Sequence, residues 1–323
     1  MRHLPFLASF VIVAVFAAPT LAWNALGHEV VAEIAWQQLS AEQRQNIVDI
    51  LRRHPRFDTD FANEMDDDTL KGDKASQDHW VFLHAATWPD QIRGIEEYDR
   101  PTWHYIDFPL YVDDSDRLAI ADRLPVNIST EYPTKTPPEK MNAYQAIRDC
   151  QKVLTGNASA DVKARAYCWL FHLVGDVHQP LHSTALFSEY YFNYGDRGGN
   201  EIPLARGRNL HSLWDGLLGG DLQVSNIAKV ARELSDRKRF GAVWDTAGSE
   251  TDPKEWIRES HEVAVTSAYS AEIINAVRNA EPYERLEPID LPEAYYKTAG
   301  EQARKRVLAA GLRLGTLLKT VNQ

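Results

Sequence analysis

Apolar residues recur at steps of three to five positions along most of the chain. Near the N-terminal end, Val30, Ile34 and Leu39 follow this spacing. Towards the C-terminus the steps alternate between three and four, at Tyr296, Ala299, Ala303, Val307, Ala310, Leu314, Leu317 and Val321. Residues at such steps lie on one face of an α-helix. The pattern therefore predicts a chain built mainly of amphipathic helices.

Strand-like alternation of apolar and polar residues is scarce. Two stretches lack any periodicity: residues 99–138, rich in Pro and Asp, and residues 183–208, rich in aromatic residues and Gly. Asp252 followed by Pro253 predicts a helix start, because Asp is a good N-cap and Pro fits the first helical position. No repeat, low-complexity tract or long linker divides the chain. We expect an all-α fold, a single mainly helical domain over residues 23–323 with a few long loops.

The first 22 residues have the composition of an export signal. Arg2 and His3 give a basic start, the apolar stretch Phe6–Ala18 follows, and Thr20-Leu21-Ala22 supplies small residues for cleavage. The apolar stretch is shorter than the roughly 18 residues expected of a membrane span. We therefore expect residues 1–22 to be a cleaved signal peptide. The mature protein, beginning at Trp23, is predicted to be secreted or periplasmic and not bound to a membrane.

The net charge limits the classes of partner. The formal charge is −11 at pH 7. An acidic surface disfavours general electrostatic binding to a polyanion, because it releases few counterions from it. A phosphate substrate remains compatible with this charge if bound cations supply positive charge locally.

Both cysteines fall in predicted helices. Cys150 lies in the helical run 141–154 and Cys168 in the run 162–173, with the helix-breaking residues 155–159 between them. If the helices fold back on each other, the two thiols face one another, since the midpoint between them falls in the break. An exported protein favours a Cys150–Cys168 disulfide. The alternative is two buried free thiols.

The segment HLVGDVHQPLH, residues 172–182, follows the apolar run that ends at Phe171. On a helix, His172 and Asp176 are four residues apart and lie on one face, a spacing that allows both to bind one metal ion. Pro180 clashes with the carbonyl of Asp176, so the helix must bend or end there. The bend can direct His182 to the same pocket. The alternative is a polar helix end whose histidines only form hydrogen bonds.

The same four-residue spacing recurs at His211 and Asp215. Two such pairs with His182 make a chance arrangement improbable. Three further segments carry ligand chemistry: TWPDQIR with Asp90 and Arg93, WHYID with His104, and the start of the mature chain with Trp23 and His28. Together they predict a metal centre assembled from several parts of the chain.

These motifs resemble those of the zinc-dependent, single-strand-specific nuclease and 3′-nucleotidase family, of which mung bean nuclease is the type. The shared features are Trp23 with His28 five residues later, TWPDQIR, WHYID, HLVGDVHQPLH, GDRGGN and NLHSLWD, in family order. Bacterial zinc-dependent phospholipases C are more distant relatives. The resemblance runs from Trp23 to Asp215, and the helical remainder is compatible with it.

The resemblance implies a cleft with three zinc ions. One ion would be bound by Asp90, His104, His172 and Asp176. A second would be bound by the amino nitrogen and carbonyl oxygen of Trp23, by His28, and by Asp176 as a shared ligand. The third would be bound by His182, His211 and Asp215.

The resemblance also implies roles in catalysis and substrate binding. Arg93 would stabilise the crowded phosphorus centre, Asp107 would orient Arg93, and Asp176 would act as the bridging ligand. Tyr105 and Asn200 would contact substrate. The implied activity is an endonuclease that cleaves single-stranded DNA and RNA to 5′-phosphate products and also acts on 3′-nucleotides. We expect it to be a monomer.

Two other functions fit part of this pattern. A zinc-dependent phospholipase C would use the same metal core, but the five-residue step from Trp23 to His28 and the Asp at position 215 favour the nuclease. Gly216 follows Asp215 where many nucleases of the family have Asn, so contacts to substrate phosphate can differ. A periplasmic zinc-binding carrier is the other alternative. Carriers tend to use mobile His-rich tracts, whereas these ligands are dispersed.

Overall fold

A computed structural model describes residues 23–132, 136–281 and 284–321. The predicted signal peptide, residues 1–22, lies outside the described residues. In chain order the helices are α1 Ala25–Gln38, α2 Ala41–Leu51, α3 Phe57–Asp60, α4 Asp67–Lys71, α5 Lys74–His84, α6 Trp88–Gln91, α7 Asp114–Ile120, α8 Ala143–Thr155, α9 Ala160–Asp176, α10 Leu210–Asp215, α11 Val224–Leu234, α12 Arg237–Ala247, α13 Pro253–Val263, α14 Ala271–Asn279 and α15 Glu293–Val321. The strands are β1 Phe108–Tyr111 and β2 Thr184–Phe187.

The prediction of a mainly helical single domain is confirmed. Helix α13 begins at the predicted Pro253, where the Asp252 side chain accepts a hydrogen bond from the backbone of Lys254. Capping boxes start three of the described helices, where the N-cap residue and the third residue of the helix satisfy each other's backbone donors. These pairs are Ser40–Gln43, Asn142–Gln145 and Asn209–Ser212. Among the described residues, no helix combines the length and apolarity needed to cross a membrane.

Helix α15 packs along α1 at close range. Its predicted apolar face is buried, with Val307 and Leu314 inaccessible to solvent. A Cβ atom added at Gly311 would lie 2.5 Å from the Cβ atom of Ile34 on α1. The absence of a side chain at position 311 therefore permits this close approach, which positions α1 and the predicted ligand His28 on it.

The two strands lie in the two stretches without periodicity, and the sequence pattern did not predict them. They pair in parallel, with Phe108 opposite Thr184 and Tyr111 opposite Phe187. Each has only four residues, too few for a clear alternation. The pairing matters for the predicted metal site, because each strand follows a short 3₁₀ turn that ends in a predicted ligand. These turns are Pro101–His104 before β1 and Pro180–His182 before β2.

Helices α8 and α9 form the predicted hairpin, but the predicted disulfide is absent. Cys150 and Cys168 are both buried free thiols. Burial raises the pKa of both thiols, so they stay protonated and act as small apolar side chains in the interface between α8 and α9. The structure corresponds to the alternative stated above.

Candidate metal centre

Two groups of histidine and aspartate side chains, all buried except the partly exposed Asp90, lie where the predicted ligand segments meet. The first cluster, defined as His28, Asp90, His104, His172 and Asp176, combines side chains from α1, α6, the turn Pro101–His104 and the C-terminal end of α9. The second cluster, defined as His182, His211 and Asp215, combines the turn Pro180–His182 with α10.

The carboxylate of Asp176 lies at the middle of the first cluster. Its Oδ2 atom is 3.0 Å from Nδ1 of His104 and 3.3 Å from Nε2 of His172. Its Oδ1 atom is 3.4 Å from Nε2 of His28. Asp90 Oδ1 is 3.7 Å from the same Nε2 atom of His172. The two oxygens of Asp176 thus face different histidines, as a ligand shared by two ions requires.

The second cluster depends on the end of α9. The helix ends at Asp176, as Pro180 predicts, and the following 3₁₀ turn directs His182 towards α10. Nε2 of His182 is 3.1 Å from Nε2 of His211, which in turn is 3.5 Å from Oδ2 of Asp215. Both predicted four-residue pairs therefore lie on helices with their side chains converging.

Backbone carbonyls fix the proton positions on three of these histidines. The Nδ1 atoms of His172, His182 and His211 lie 2.7–2.8 Å from the carbonyl oxygens of Ala86, His104 and Gly198, in that order. A carbonyl only accepts, so each Nδ1 donates and each neutral ring presents the lone pair of Nε2 to its cluster. The Nε2 atoms of His182 and His211 face each other at 3.1 Å, an arrangement that a cation between them would stabilise.

Some buried polar atoms of the first cluster are not satisfied by hydrogen bonds from the described residues. Nε2 of His28 and Oδ1 of Asp176 are buried without a hydrogen-bond partner in the described part of the chain. Buried polar atoms are normally paired, and such exceptions call for an explanation. Imidazole nitrogens and carboxylate oxygens are the ligands that zinc prefers in catalytic sites. The residues present therefore fit a set of bound metal ions.

Burial also sets the protonation states of the ligands. It lowers the pKa of His28, His104 and His182 well below the usual value, and that of His172 to about 3. These rings are therefore neutral near pH 7, the form that binds a metal. Burial raises the pKa of Asp176 and of Asp215, and the nearby charge of Asp90 adds to both shifts. Positive charge in the site favours the ionised form of these carboxyls, as Arg93 already does in part.

Trp23 lies against the ligand-bearing end of α9. Its side chain is buried, and its indole nitrogen donates to the carbonyl of Gly175, the residue before Asp176. A Cβ atom at Gly175 would lie 2.6 Å from Nδ1 of His28. The small residue at position 175 thus leaves room for the ring of His28 beside Trp23.

Arg93 has a different partner from the one expected. Its Nε and Nη2 atoms donate to Oδ1 of Asp90, at 2.9 and 2.7 Å. Asp107, the predicted orienting acid, is half-buried in the same cavity and makes no hydrogen bond to Arg93 among the described residues. Burial, with a contribution from the charge of Asp196, raises the pKa of Asp107 to about 7. Near neutral pH it can therefore either donate or accept a hydrogen bond.

Both clusters open into one cavity of about 410 Å³. The predicted substrate residues Tyr105 and Asn200 line it, and Tyr105 is 37% exposed. The Asn200 amide already donates to the carbonyl of Arg197. Of the aromatic residues in the loop after His182, Tyr194 lines the cavity, whereas Phe187 and Phe192 are buried in the core.

Two buried residues that no sequence pattern predicted, Gln179 and Asp196, support the predicted ligands. Gln179 is buried; its amide donates to Oδ1 of Asp215 and its oxygen accepts from the backbone of Leu181. The sequence feature that could have indicated Gln179 is its position between His178 and His182 in HLVGDVHQPLH. Asp196 accepts hydrogen bonds from the backbone of Gly199 and from the hydroxyl of Tyr269. It thereby holds the turn whose Gly198 carbonyl orients His211.

Comparison with known proteins agrees with this geometry. A family model of S1/P1 nucleases matches residues 23–323. The chain is 23% identical to Endonuclease 4 of Arabidopsis thaliana, over 93% of this chain and 89% of that protein. It is 25% identical to Endonuclease 5 of the same plant, over 79% of this chain and 84% of that protein. It is 24% identical to Nuclease S1 of Aspergillus oryzae, over 72% of this chain and 68% of that protein. The chain therefore belongs to the S1/P1 nuclease family.

Proposed function

We propose that this chain is an exported, monomeric, zinc-dependent endonuclease. It would hydrolyse phosphodiester bonds in single-stranded DNA and RNA to 5′-phosphate products and release phosphate from 3′-nucleotides. Family membership supports nuclease activity. The observation that carries the metal requirement is the convergence of the Nε2 atoms of His182 and His211, which lie 3.1 Å apart beside Asp215.

Three zinc ions are proposed, in the sets that the resemblance implies. The first ion would be bound by Asp90, His104, His172 and Asp176. The second would be bound by Trp23, His28 and Asp176. The third would be bound by His182, His211 and Asp215. When bound, such ions lower the pKa of a coordinated water and offset negative charge on a phosphate.

The side chains around the ligands would position the substrate. The guanidinium of Arg93, oriented by Asp90, would bind a phosphate oxygen in the cavity and stabilise negative charge there. Asp107 would form a hydrogen bond with a polar group of the substrate beside Tyr105. The exposed ring of Tyr105 offers a stacking surface for a base, and Asn200 also lines the cavity. Only an unpaired base can stack in this way, which favours single strands.

Signal cleavage would complete the second ion's ligand set. The indole nitrogen of Trp23 is only a donor, so its value as a ligand lies in the new amino group and its own carbonyl oxygen. An added residue converts that amine to an amide. Protein beginning Met-Trp23 should fold yet bind less zinc and lose most activity, whereas correctly processed Trp23→Phe should retain much more. Full activity with three zinc ions in the Met-extended protein would rule out the amine as ligand.

One assay tests the substrate class. Purified mature protein with zinc is incubated with single-stranded DNA, RNA, a 3′-mononucleotide and phosphatidylcholine. We expect 5′-phosphate fragments from both nucleic acids, phosphate from the mononucleotide, and loss of both activities after chelation. Hydrolysis of phosphatidylcholine without cleavage of nucleic acid would identify a phospholipase C instead. Zinc binding without any hydrolysis would favour a carrier.

A further inference from the structure

Arg197 has an unusual backbone conformation for its residue type. It is the one non-glycine residue in the described chain with a positive φ, at +57°. The left-handed region places the Cβ atom of an ordinary residue too close to the following carbonyl, and glycine avoids that cost. Gly198 and Gly199 follow with φ values of +60° and +82°. An arginine at a turn position otherwise suited to glycine points to a function for its side chain.

Buried groups hold this turn in place. The carboxylate of Asp196 accepts hydrogen bonds from the backbone nitrogens of Leu186 and Gly199, each at 2.9 Å. On the other side, the amide of Asn200 donates to the carbonyl of Arg197 at 2.7 Å. The strained conformation is therefore imposed by the surrounding structure, and the Arg197 side chain is directed by a rigid support.

The Arg197 side chain is exposed and lines the cavity of the metal centre. Two arginines line this cavity, and the other, Arg93, already binds Asp90. Among the described residues, no hydrogen bond or ion pair engages the guanidinium of Arg197, although its charge acts on the nearby Tyr105 and Glu201. Tyr194, three residues earlier in the same loop, also lines the cavity and is 75% exposed. An unpaired guanidinium and an exposed ring thus lie beside the ligands.

We propose that Tyr194 and Arg197 form a subsite for a nucleotide next to the one that is cleaved, with the ring stacked on its base and the guanidinium bound to its phosphate. This proposal rests on the proposed nuclease function. Single-strand binding sites combine aromatic rings, on which bases stack, with basic groups that bind the backbone. Arginine suits a phosphate because its planar donors bind two oxygens together. The subsite would distinguish polynucleotides from substrates with a single phosphate.

The substitution Arg197→Gly separates this role from a structural one. Its activity is compared on a dinucleoside monophosphate, with one phosphodiester, and on a single-stranded oligonucleotide of about ten residues. We expect kcat/KM to fall roughly tenfold on the oligonucleotide, through KM, and to be unchanged on the dinucleotide. The slope of log(kcat/KM) against log salt should decrease by about 0.7 on the oligonucleotide. Tm should stay the same or rise, because glycine relieves the backbone strain.

Companion variants test the chemistry of each group. Arg197→Lys should keep most of the salt dependence, because it keeps the charge. Tyr194→Ala should lower kcat/KM on the oligonucleotide roughly tenfold, whereas Tyr194→Phe should restore it. Arg285→Gly removes an equal charge from another exposed loop position that does not line the cavity, and it should leave both substrates unaffected.

Equal losses on the two substrates in Arg197→Gly, or no loss on either, would overturn the subsite while leaving the nuclease function intact. A fall in Tm with matching losses on both substrates would assign Arg197 a structural role. Failure of the wild-type protein to cleave either substrate would overturn the proposed function, and the subsite with it.

Discussion

At the scale of single residues, four of the predicted metal ligands are oriented by hydrogen bonds with neighbouring groups that are not themselves predicted ligand atoms. Backbone carbonyls orient three histidines, and Gln179 orients Asp215. Such supporting hydrogen bonds fix which atom faces a metal, and their loss typically lowers metal affinity about 10- to 100-fold. The buried side chain of Gln179 makes its contribution separately testable.

Gln179→Leu should weaken binding of one zinc ion, because it removes the hydrogen bond that holds the Asp215 carboxylate. We expect about 10- to 100-fold lower affinity for that ion, measured by zinc retention against graded chelator. Gln145→Leu is the matched control, since Gln145 is equally buried but caps α8. It should lower stability by about 1–3 kcal/mol with no change in zinc content. Unchanged zinc retention in Gln179→Leu would contradict this role.

Asp176 and Asp215 should differ in how many ions they retain. The two oxygens of Asp176 face different histidines of the first cluster, whereas Asp215 contacts one cluster. Asp176→Ala should therefore lose two of three zinc ions and Asp215→Ala one, by elemental analysis of folded, dialysed protein. Equal zinc content in the two variants would argue against a shared ligand.

At the scale of elements, glycine in α15 has two opposing effects on stability: it lowers helix propensity, but at position 311 it allows close packing against α1. Gly311→Ala gains helix propensity, but its Cβ would collide with Ile34, and overpacking costs about 1–3 kcal/mol. At Gly300 a Cβ would meet only the end of the flexible Arg304 side chain, at 3.2 Å. We expect urea unfolding to show Gly311→Ala destabilised and Gly300→Ala stabilised by about 0.5–1 kcal/mol. Similar gains in both variants would show that α1 and α15 can separate without cost.

At the scale of the whole molecule, an ionic network of one partly exposed glutamate and two buried arginines joins the C-terminal helices to the candidate metal centre. Glu259 on α13 receives hydrogen bonds from Arg306 and Arg313 on α15, all at 2.7 Å. Arg313 also donates to Nε2 of His178, and Arg306 to the His178 carbonyl. His178 lies in the bend between Asp176 and His182, so this network supports the segment that links the two clusters.

Acid should weaken this network in a defined pH range. Burial opposes ionisation of Glu259, but the guanidinium groups of Arg313 and Arg306 outweigh it and lower its pKa to about 2. A depressed pKa in the folded state stabilises the fold above the ordinary value of 4.5, and this stabilisation is lost as pH falls towards 2. Allowing for screening of a side chain that is 33% exposed, the contribution is roughly 1–2 kcal/mol.

Glu259→Gln should therefore be less stable than wild type near neutral pH, and the gap in unfolding free energy should narrow between about pH 5 and pH 2. The measurement is denaturant unfolding of both proteins with chelator present, so that loss of metal in acid does not contribute. Glu287→Gln, at an exposed loop position, serves as the control and should show no such change. A gap that stays constant over this range would contradict the network's role.

The sequence determined the features that depend on local spacing. Apolar steps of three and four predicted α15, and Pro253 marked the start of α13. The pairs His172–Asp176 and His211–Asp215 converge because four residues make about one helical turn. The family resemblance then extended these pairs to ligands on other segments, and the structure brings all the predicted ligand side chains into two clusters beside one cavity.

Only the tertiary structure decided what depends on contacts between distant segments. It joined β1 to β2, although neither strand is long enough to show in the pattern, and this pairing aligns the turns that carry His104 and His182. It gave Arg93 the partner Asp90, left Cys150 and Cys168 unbonded, and imposed a positive φ on Arg197. Periodicity reports which face of an element is buried. The partner of that face follows from packing and pairing across the whole chain, which no local spacing encodes.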